Sequence, residues 1–130
     1  MKVAEADKLL KSILFEIWHD KYNVRGKSIL TFLKKQDKNW YSEKLETPFN
    51  VFDIIAYKHP NKKEIILYVQ VKDTELGFLY VIEDEESLEN ALKCVDNSKV
   101  KDNHHFLRCL YSNSLAVAEL TNYYIVDVKQ

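Results

Sequence analysis

The segment EIILYVQVK, residues 64–72, decides the fold of this chain. Its odd-numbered positions carry four apolar side chains in succession, whereas its even-numbered positions become polar towards the end. A period of two residues is that of a β-strand, whose side chains alternate between two faces. We therefore predict a strand at residues 64–72 with Leu67, Val69 and Val71 in the core.

Further apolar segments flank this strand at residues 50–58 and 76–83. HPNK at residues 59–62 separates the first pair, and DT at residues 73–74 separates the second; both are typical turn sequences. Short turns join antiparallel neighbours. We therefore predict a three-stranded meander, in which residues 50–58 and 64–72 pair as an antiparallel hairpin.

Helical periodicity is found on both sides of the meander. Residues 3–20 carry apolar side chains in pairs four apart, which predicts an amphipathic helix with stop signals at Asn23 and Gly26. Asp84 is a suitable N-cap for another helix, whose apolar positions up to Val95 follow the i, i+3, i+4, i+7 spacing.

The rest of the chain is assigned from shorter patterns. These predict a β-rich run at residues 28–33, a polar loop ending near Pro48, a polar connection at residues 96–103, a strand at 105–111, a helix at 114–121 and a strand at 123–128. The resulting order predicts a single α+β domain over residues 1–130, with a mainly antiparallel (mixed) sheet and flanking helices.

Composition restricts the classes of function. The 130 residues include only two glycines, where average usage gives about nine. A phosphate-binding loop needs several glycines, so the sequence excludes a Rossmann fingerprint, a Walker loop and a nucleophile elbow. The net charge of −1 gives no overall basic field for nucleic acid. No apolar run approaches the roughly 18 residues of a membrane span, which predicts a cytoplasmic protein without a membrane partner.

Cysteine and histidine positions give no recognisable motif. Cys94 and Cys109 lack the paired spacing of a zinc or redox site, and we predict two reduced, partly buried thiols. His104 and His105 would point in different directions on a strand or a helix, so they do not form a chelating pair. The expected role of this histidine pair is the exposed start of a strand.

Asp53 is the most informative polar residue, because a carboxylate within an apolar run is costly to bury without compensation. If the connecting loop has an even number of residues, Asp53 shares a face with Gln70 and Lys72. The side-chain oxygens of Asp53 and Gln70 could bind a divalent cation, and Lys72 could activate water or stabilise a phosphorane. The alternative is a cross-strand ion pair on a solvated face, with Gln70 as a polar neighbour.

The segments FDIIA (52–56) and LYVQVK (67–72) resemble the motif of the PD-(D/E)XK nuclease superfamily, in the variant with Gln at the second acidic position. The resemblance implies a restriction-endonuclease-like fold and cleavage of nucleic-acid phosphodiesters. It also implies Mg²⁺ or Mn²⁺ bound by Asp53 and Gln70, with Lys72 assisting catalysis.

In that family a glutamate on the preceding helix often completes the metal site. Glu5 continues the apolar stripe of the first helix and matches that place, with Glu16 as the second choice. The resemblance covers roughly residues 3–72. It departs from the family at Phe52, where a proline is common, and at residues 76–83, where the family core continues into a helix.

A second hypothesis is a non-enzymatic protein-interaction module, such as a small phage, immunity or regulatory protein. Such a module would bind a partner protein through an exposed strand edge, for which residues 76–82 are the candidate. The acidic segment DEE at residues 84–86 is an alternative contact surface.

Overall fold

The computed structural model describes residues 1–19, 25–46, 50–96, 103–120 and 124–128. The described chain is an α+β domain with helices on both sides of one sheet. Its elements are α1 (Val3–His19), α2 (Arg25–Gln36), β1 (Tyr41–Leu45), β2 (Phe52–Lys58), β3 (Ile65–Val71), β4 (Gly77–Ile82), α3 (Glu85–Asp96), α4 (Asn103–Ser112), β5 (Ser114–Glu119) and β6 (Tyr124–Val128).

The six strands form one antiparallel sheet in the order β1-β2-β3-β4-β5-β6. The predicted hairpin of β2 and β3 is confirmed, with Asp53 opposite Gln70. Leu67 and Val69 are buried as predicted, whereas Val71 is only half-buried at the strand end. β4 lies between β3 and β5, so residues 76–82 do not offer the free edge expected of them.

Both faces of β3 are buried, because both of its alternating rows are apolar. Ile66 and Tyr68 pack on the side of α1 and α2, called here the α1/α2 face. Leu67 and Val69 pack on the side of α3 and α4, the α3/α4 face. Because its side chains belong to the core on both faces, β3 lies at the centre of the hydrophobic core. Burial of each such side chain contributes on the order of 2 kcal/mol to stability.

Several of the shorter assignments were wrong. Residues 28–33 belong to α2, and the predicted polar loop contains β1. The predicted strand at 105–111 and helix at 114–121 are reversed, since α4 and β5 occupy those positions. The spacing of Phe106, Cys109 and Leu110 is helical, and these three residues are buried on one side of α4.

Other local signals were correct. α1 covers the predicted helix as far as His19. Asp20, the last residue of the predicted helix, and Asn23 lie outside the described residues. Gly26 is within α2. Asp84 caps α3, where its Oδ1 accepts a hydrogen bond of 2.8 Å from the backbone N–H of Ser87. Within the described residues, none of the helices has the length and apolar character needed to cross a membrane.

Cys94 of α3 and Cys109 of α4 form a disulfide bond, so the predicted free thiols were wrong. α3 and α4 pack against each other, which brings the two Cα atoms to 6.2 Å. This separation is within the usual range for a disulfide. The cysteines are 15 residues apart in the chain, a spacing that carries no signal until the packing of the two helices is known.

Candidate functional site

The structure brings together three of the four predicted site residues. Asp53 lies opposite Gln70 on neighbouring strands, and Nζ of Lys72 lies 3.8 Å from Oδ1 of Asp53. All three belong to the α1/α2 face, at the end of the β2–β3 hairpin remote from its connecting turn. The prediction that these three residues share one face is therefore confirmed.

The expectation that Asp53 is buried was wrong. Its side chain is 46% exposed, and that of Lys72 is 44% exposed. α1 packs mainly against β5, β6 and α2, so among the described contacts it does not cover Asp53 and Lys72. An ion pair at such a position contributes at most about 1 kcal/mol.

Gln70 is occupied by the turn between β3 and β4. Its Nε2 donates to the backbone oxygens of Val71, Thr74 and Leu76 at 3.2, 2.7 and 2.9 Å. Its Oε1 accepts a hydrogen bond from the hydroxyl of Tyr68. Both ends of the amide thus have protein partners, and only Oε1, through its second lone pair, could still contact a metal ion.

The same contacts explain one of the two glycines of the chain. A Cβ atom at Gly77 would lie 3.0 Å from Oε1 of Gln70, closer than ordinary van der Waals contact. Asp73, in the turn itself, has a φ of 62°, a left-handed conformation that aspartate tolerates better than most residues. Gln70, Asp73 and Gly77 therefore act together to form this turn.

Glu5 belongs to the first turn of α1, whose position relative to β3 is given by a contact of Met1. The α-amino group of Met1 lies 3.3 Å from Oε1 of Glu64, so α1 starts beside the beginning of β3. Gln70 lies near the other end of that strand, about 20 Å away at the usual rise per residue. Glu16, the second choice, pairs with Lys35 of α2 at 3.4 Å. Neither glutamate is placed by these contacts beside Asp53.

Among the described residues, the carboxylates needed for a hard-metal site do not converge beside Asp53. Mg²⁺ is usually held by one or two carboxylates together with water or phosphate oxygens. The cluster of Asp53, Gln70 and Lys72 contributes only one carboxylate, that of Asp53, which already lies beside Lys72. Within the described ranges, the one group of three close His, Cys, Asp or Glu ligand atoms is Cys94, His105 and Cys109, on the opposite face.

A recess adjoins the cluster on the α1/α2 face. Its volume is about 430 Å³, and its lining includes Ile55 and Tyr68 of the central hairpin. The remaining lining residues are Ser42, Lys44, Asp53, Ile54 and Gln70. Sequence reasoning missed this recess because it assigned the segment that became β1 to a loop.

β1 is an edge strand, so alternate residues of it direct their backbone N–H and C=O groups towards β2 or away from the sheet. The backbone N–H of Lys72 donates to the oxygen of Val51 at 2.8 Å, so odd-numbered residues of β2 bond to β3. Even-numbered residues of β2 then bond to β1. Their register partners in β1 are odd-numbered, so the backbone groups of Ser42 and Lys44 point away from the sheet.

The outer edge of β1 thus presents two N–H and two C=O groups. None of the described strands pairs with this edge. The side chains of the same two residues, Ser42 and Lys44, line the recess. A free hydrogen-bonding edge and a side-chain recess are therefore adjacent.

Comparisons of the chain with protein-family models, with curated proteins and with solved structures find no match. The resemblance of residues 52–72 to a nuclease motif therefore stays a prediction. The edge of β1 and the adjoining recess bring free backbone groups and a side-chain recess to one place.

Proposed function

We propose that this chain is a non-enzymatic protein-interaction module that binds an extended segment of a partner protein along β1. The observation that carries the proposal is the coincidence of outward-pointing backbone groups with a recess lined by the same residues, Ser42 and Lys44. Addition of a strand to a free sheet edge is a general mode of peptide recognition.

The two parts of the surface would have different tasks. Main-chain hydrogen bonds to the N–H and C=O groups of β1 provide affinity for any extended backbone. Every second side chain of the partner would enter the recess, over Ile55 and Tyr68. Each Å² of apolar surface buried there contributes roughly 25 cal/mol, while the charge of Asp53 selects polar groups at the rim.

The charges of β1 favour a foreign partner over self-association. Glu43 pairs with Lys58 at 3.1 Å on the α3/α4 face, and Lys44 is exposed on the other face. Charged residues on a short edge strand are a common protection against pairing of identical edges. When the β1 edges of two copies pair, like charges come together, which disfavours self-association and leaves the edge to a segment of complementary charge.

Metal-dependent cleavage of phosphodiesters is the alternative proposal. One observation favours it, namely that Asp53, Gln70 and Lys72 meet on one face. Two observations weigh against it: the hydrogen bonds of Gln70 to the turn, and the contact that places the start of α1, the helix of Glu5, beside the beginning of β3.

The proposed function is tested with a peptide probe. A random peptide library displayed on phage is selected on the full chain, and the best peptide is measured by fluorescence anisotropy. Lys44→Pro removes an outward N–H, at a type of position where edge strands accept proline. We expect affinity to fall at least tenfold, whereas the control Lys44→Ala, which keeps the N–H, should change it less than about threefold, since one exposed side chain contributes little.

Equal binding by Lys44→Pro and the parent would contradict the proposal. Circular dichroism and urea unfolding of both variants verify that the sheet is intact. Selected peptides that bind only at a site remote from β1 would be equally unaffected by Lys44→Pro, and they too would contradict the proposal.

A further inference from the structure

Three potential soft-metal ligands meet between α3 and α4. Nε2 of His105 lies 3.6 Å from Sγ of Cys109. The ligand atoms of Cys94, His105 and Cys109 all lie within 4.8 Å of one another. They come from two helices, and two of them, His105 and Cys109, are one turn apart on the same side of α4.

The spacing matches that of ligands sharing a zinc ion. Zinc binds thiolate sulfur at about 2.3 Å and imidazole nitrogen at about 2.0–2.1 Å in tetrahedral geometry, which separates the sulfur and nitrogen atoms by about 3.5 Å. The observed distance between His105 and Cys109 is 3.6 Å. Two of the three ligands are thus already at the separation that zinc requires.

The third ligand is the one that can move. In the disulfide the two sulfur atoms are bonded, whereas thiolates on one zinc ion are separated by about 3.8 Å. Cys109 is buried in the core of the α3/α4 face, and Cys94 is exposed near the end of α3. Rotation of the exposed Cys94 side chain is therefore the least costly way to open the site.

We propose that the reduced chain binds one zinc ion through Cys94, His105 and Cys109, and that the disulfide is the metal-free, oxidised state of the same site. His105 binds through Nε2, the nitrogen that faces Cys109. A site with three protein ligands leaves a fourth tetrahedral position for water. The site lies on the opposite side of the sheet from the recess.

The interconversion balances in electrons and protons. A dithiol reductant supplies two electrons, the S–S bond breaks, and two cysteine thiols form as the reductant becomes a disulfide. Zinc then replaces the two thiol protons, two Zn–S bonds form, and two protons are released. In the reverse direction a low-molecular-weight disulfide accepts two electrons from the thiolates, the cysteines bond to each other, and zinc is released.

Cobalt is a suitable probe, because tetrahedral cobalt with thiolate ligands absorbs visible and near-ultraviolet light. The full chain is reduced, freed of reductant under nitrogen and titrated with Co²⁺, then with Zn²⁺ as competitor. We expect one Co²⁺ per reduced chain, displaced by Zn²⁺, and no such absorption from the oxidised chain. Absence of the absorption from the reduced chain, or equal absorption from the oxidised chain, would overturn the proposal.

His105→Ala separates metal binding from disulfide formation, because it keeps both cysteines. We expect it to weaken Co²⁺ binding at least tenfold while still forming the disulfide, as seen by mass spectrometry. His104→Ala is the matched control, since the neighbouring residue points about 100° away around the helix. Wild-type affinity of His105→Ala, or an equal loss in His104→Ala, would overturn the assignment. Near-native far-ultraviolet dichroism of both variants establishes that the helices remain folded.

Discussion

Gln70→Glu distinguishes a turn-stabilising residue from a metal ligand. The substitution keeps the size of the side chain and the oxygen that faces Tyr68, but it replaces Nε2 with a second oxygen. That oxygen would face the three backbone carbonyls that Nε2 now contacts. A metal site, in contrast, would gain a negative charge and bind a cation more tightly.

The magnitude follows from the contacts that are lost. An amide nitrogen has two hydrogens, so at most two of the three contacts are strong at once. Each hydrogen bond contributes about 1 kcal/mol, and repulsion between the new carboxylate and the carbonyls adds about another. We expect Gln70→Glu to lower the free energy of unfolding by about 2–3 kcal/mol.

Urea unfolding at pH 7.5, followed by circular dichroism, measures the change. The loss should shrink at acidic pH, because the carbonyls raise the pKa of the introduced carboxyl and the protonated form regains a donor. Asp53→Asn is the control, since it removes the exposed pair with Lys72 and should cost less than about 1 kcal/mol. Parent-like stability of Gln70→Glu, together with tighter Mn²⁺ binding, would refute the turn-stabilising role.

Three further predictions concern the turns and the cluster. Gly77→Ala should cost about 1 kcal/mol in the parent and nothing in a Gln70→Ala background, because the added Cβ meets Oε1 of Gln70; equal costs in the two backgrounds, measured by urea unfolding, would argue against that contact. The backbone N–H of Asn39 and the ring of His59 hold the pKa of Asp37 below its usual value. The stability that Asp37 provides is therefore present above about pH 4 and lost as the pH falls further. The free energies of unfolding of the parent and Asp37→Asn, measured against pH, should therefore converge in acid; a constant difference between them at all pH values would contradict this role of Asp37. Isothermal titration with millimolar Mn²⁺ should give no heat of binding at the cluster, and a heat abolished by Asp53→Ala would favour the nuclease alternative.

The central meander was predictable because its signals are local. The alternation in residues 64–72 and the turn residues on either side predict the hairpin without knowledge of the rest of the chain, whereas the shared face followed only on the condition that the connecting loop has an even number of residues. Asp84 was recognisable as a cap for the same reason. That condition is met, and Asp53, Gln70 and Lys72 lie together as predicted.

Other features depend on tertiary packing that the sequence does not display. β5 contains alanines that favour a helix in isolation, but Ala116 and Ala118 are buried in the core beneath α1. The exposure of Asp53 depends on where α1 lies across the sheet, and the Cys94–Cys109 bond depends on the packing of α3 against α4. The recess depends on β1, a short and mostly exposed strand with little apolar pattern.

Backbone amide hydrogen exchange in β1, followed residue by residue by NMR, tests the proposed binding edge most directly. In the free protein we expect fast exchange at Ser42 and Lys44, whose N–H groups point outwards, and slow exchange at Glu43, which bonds to β2. Addition of the selected peptide should slow exchange at Ser42 and Lys44 at least tenfold and leave Glu43 unchanged, because only the outward groups gain partners. Exchange at Ser42 and Lys44 that is unaffected by saturating peptide would contradict the account.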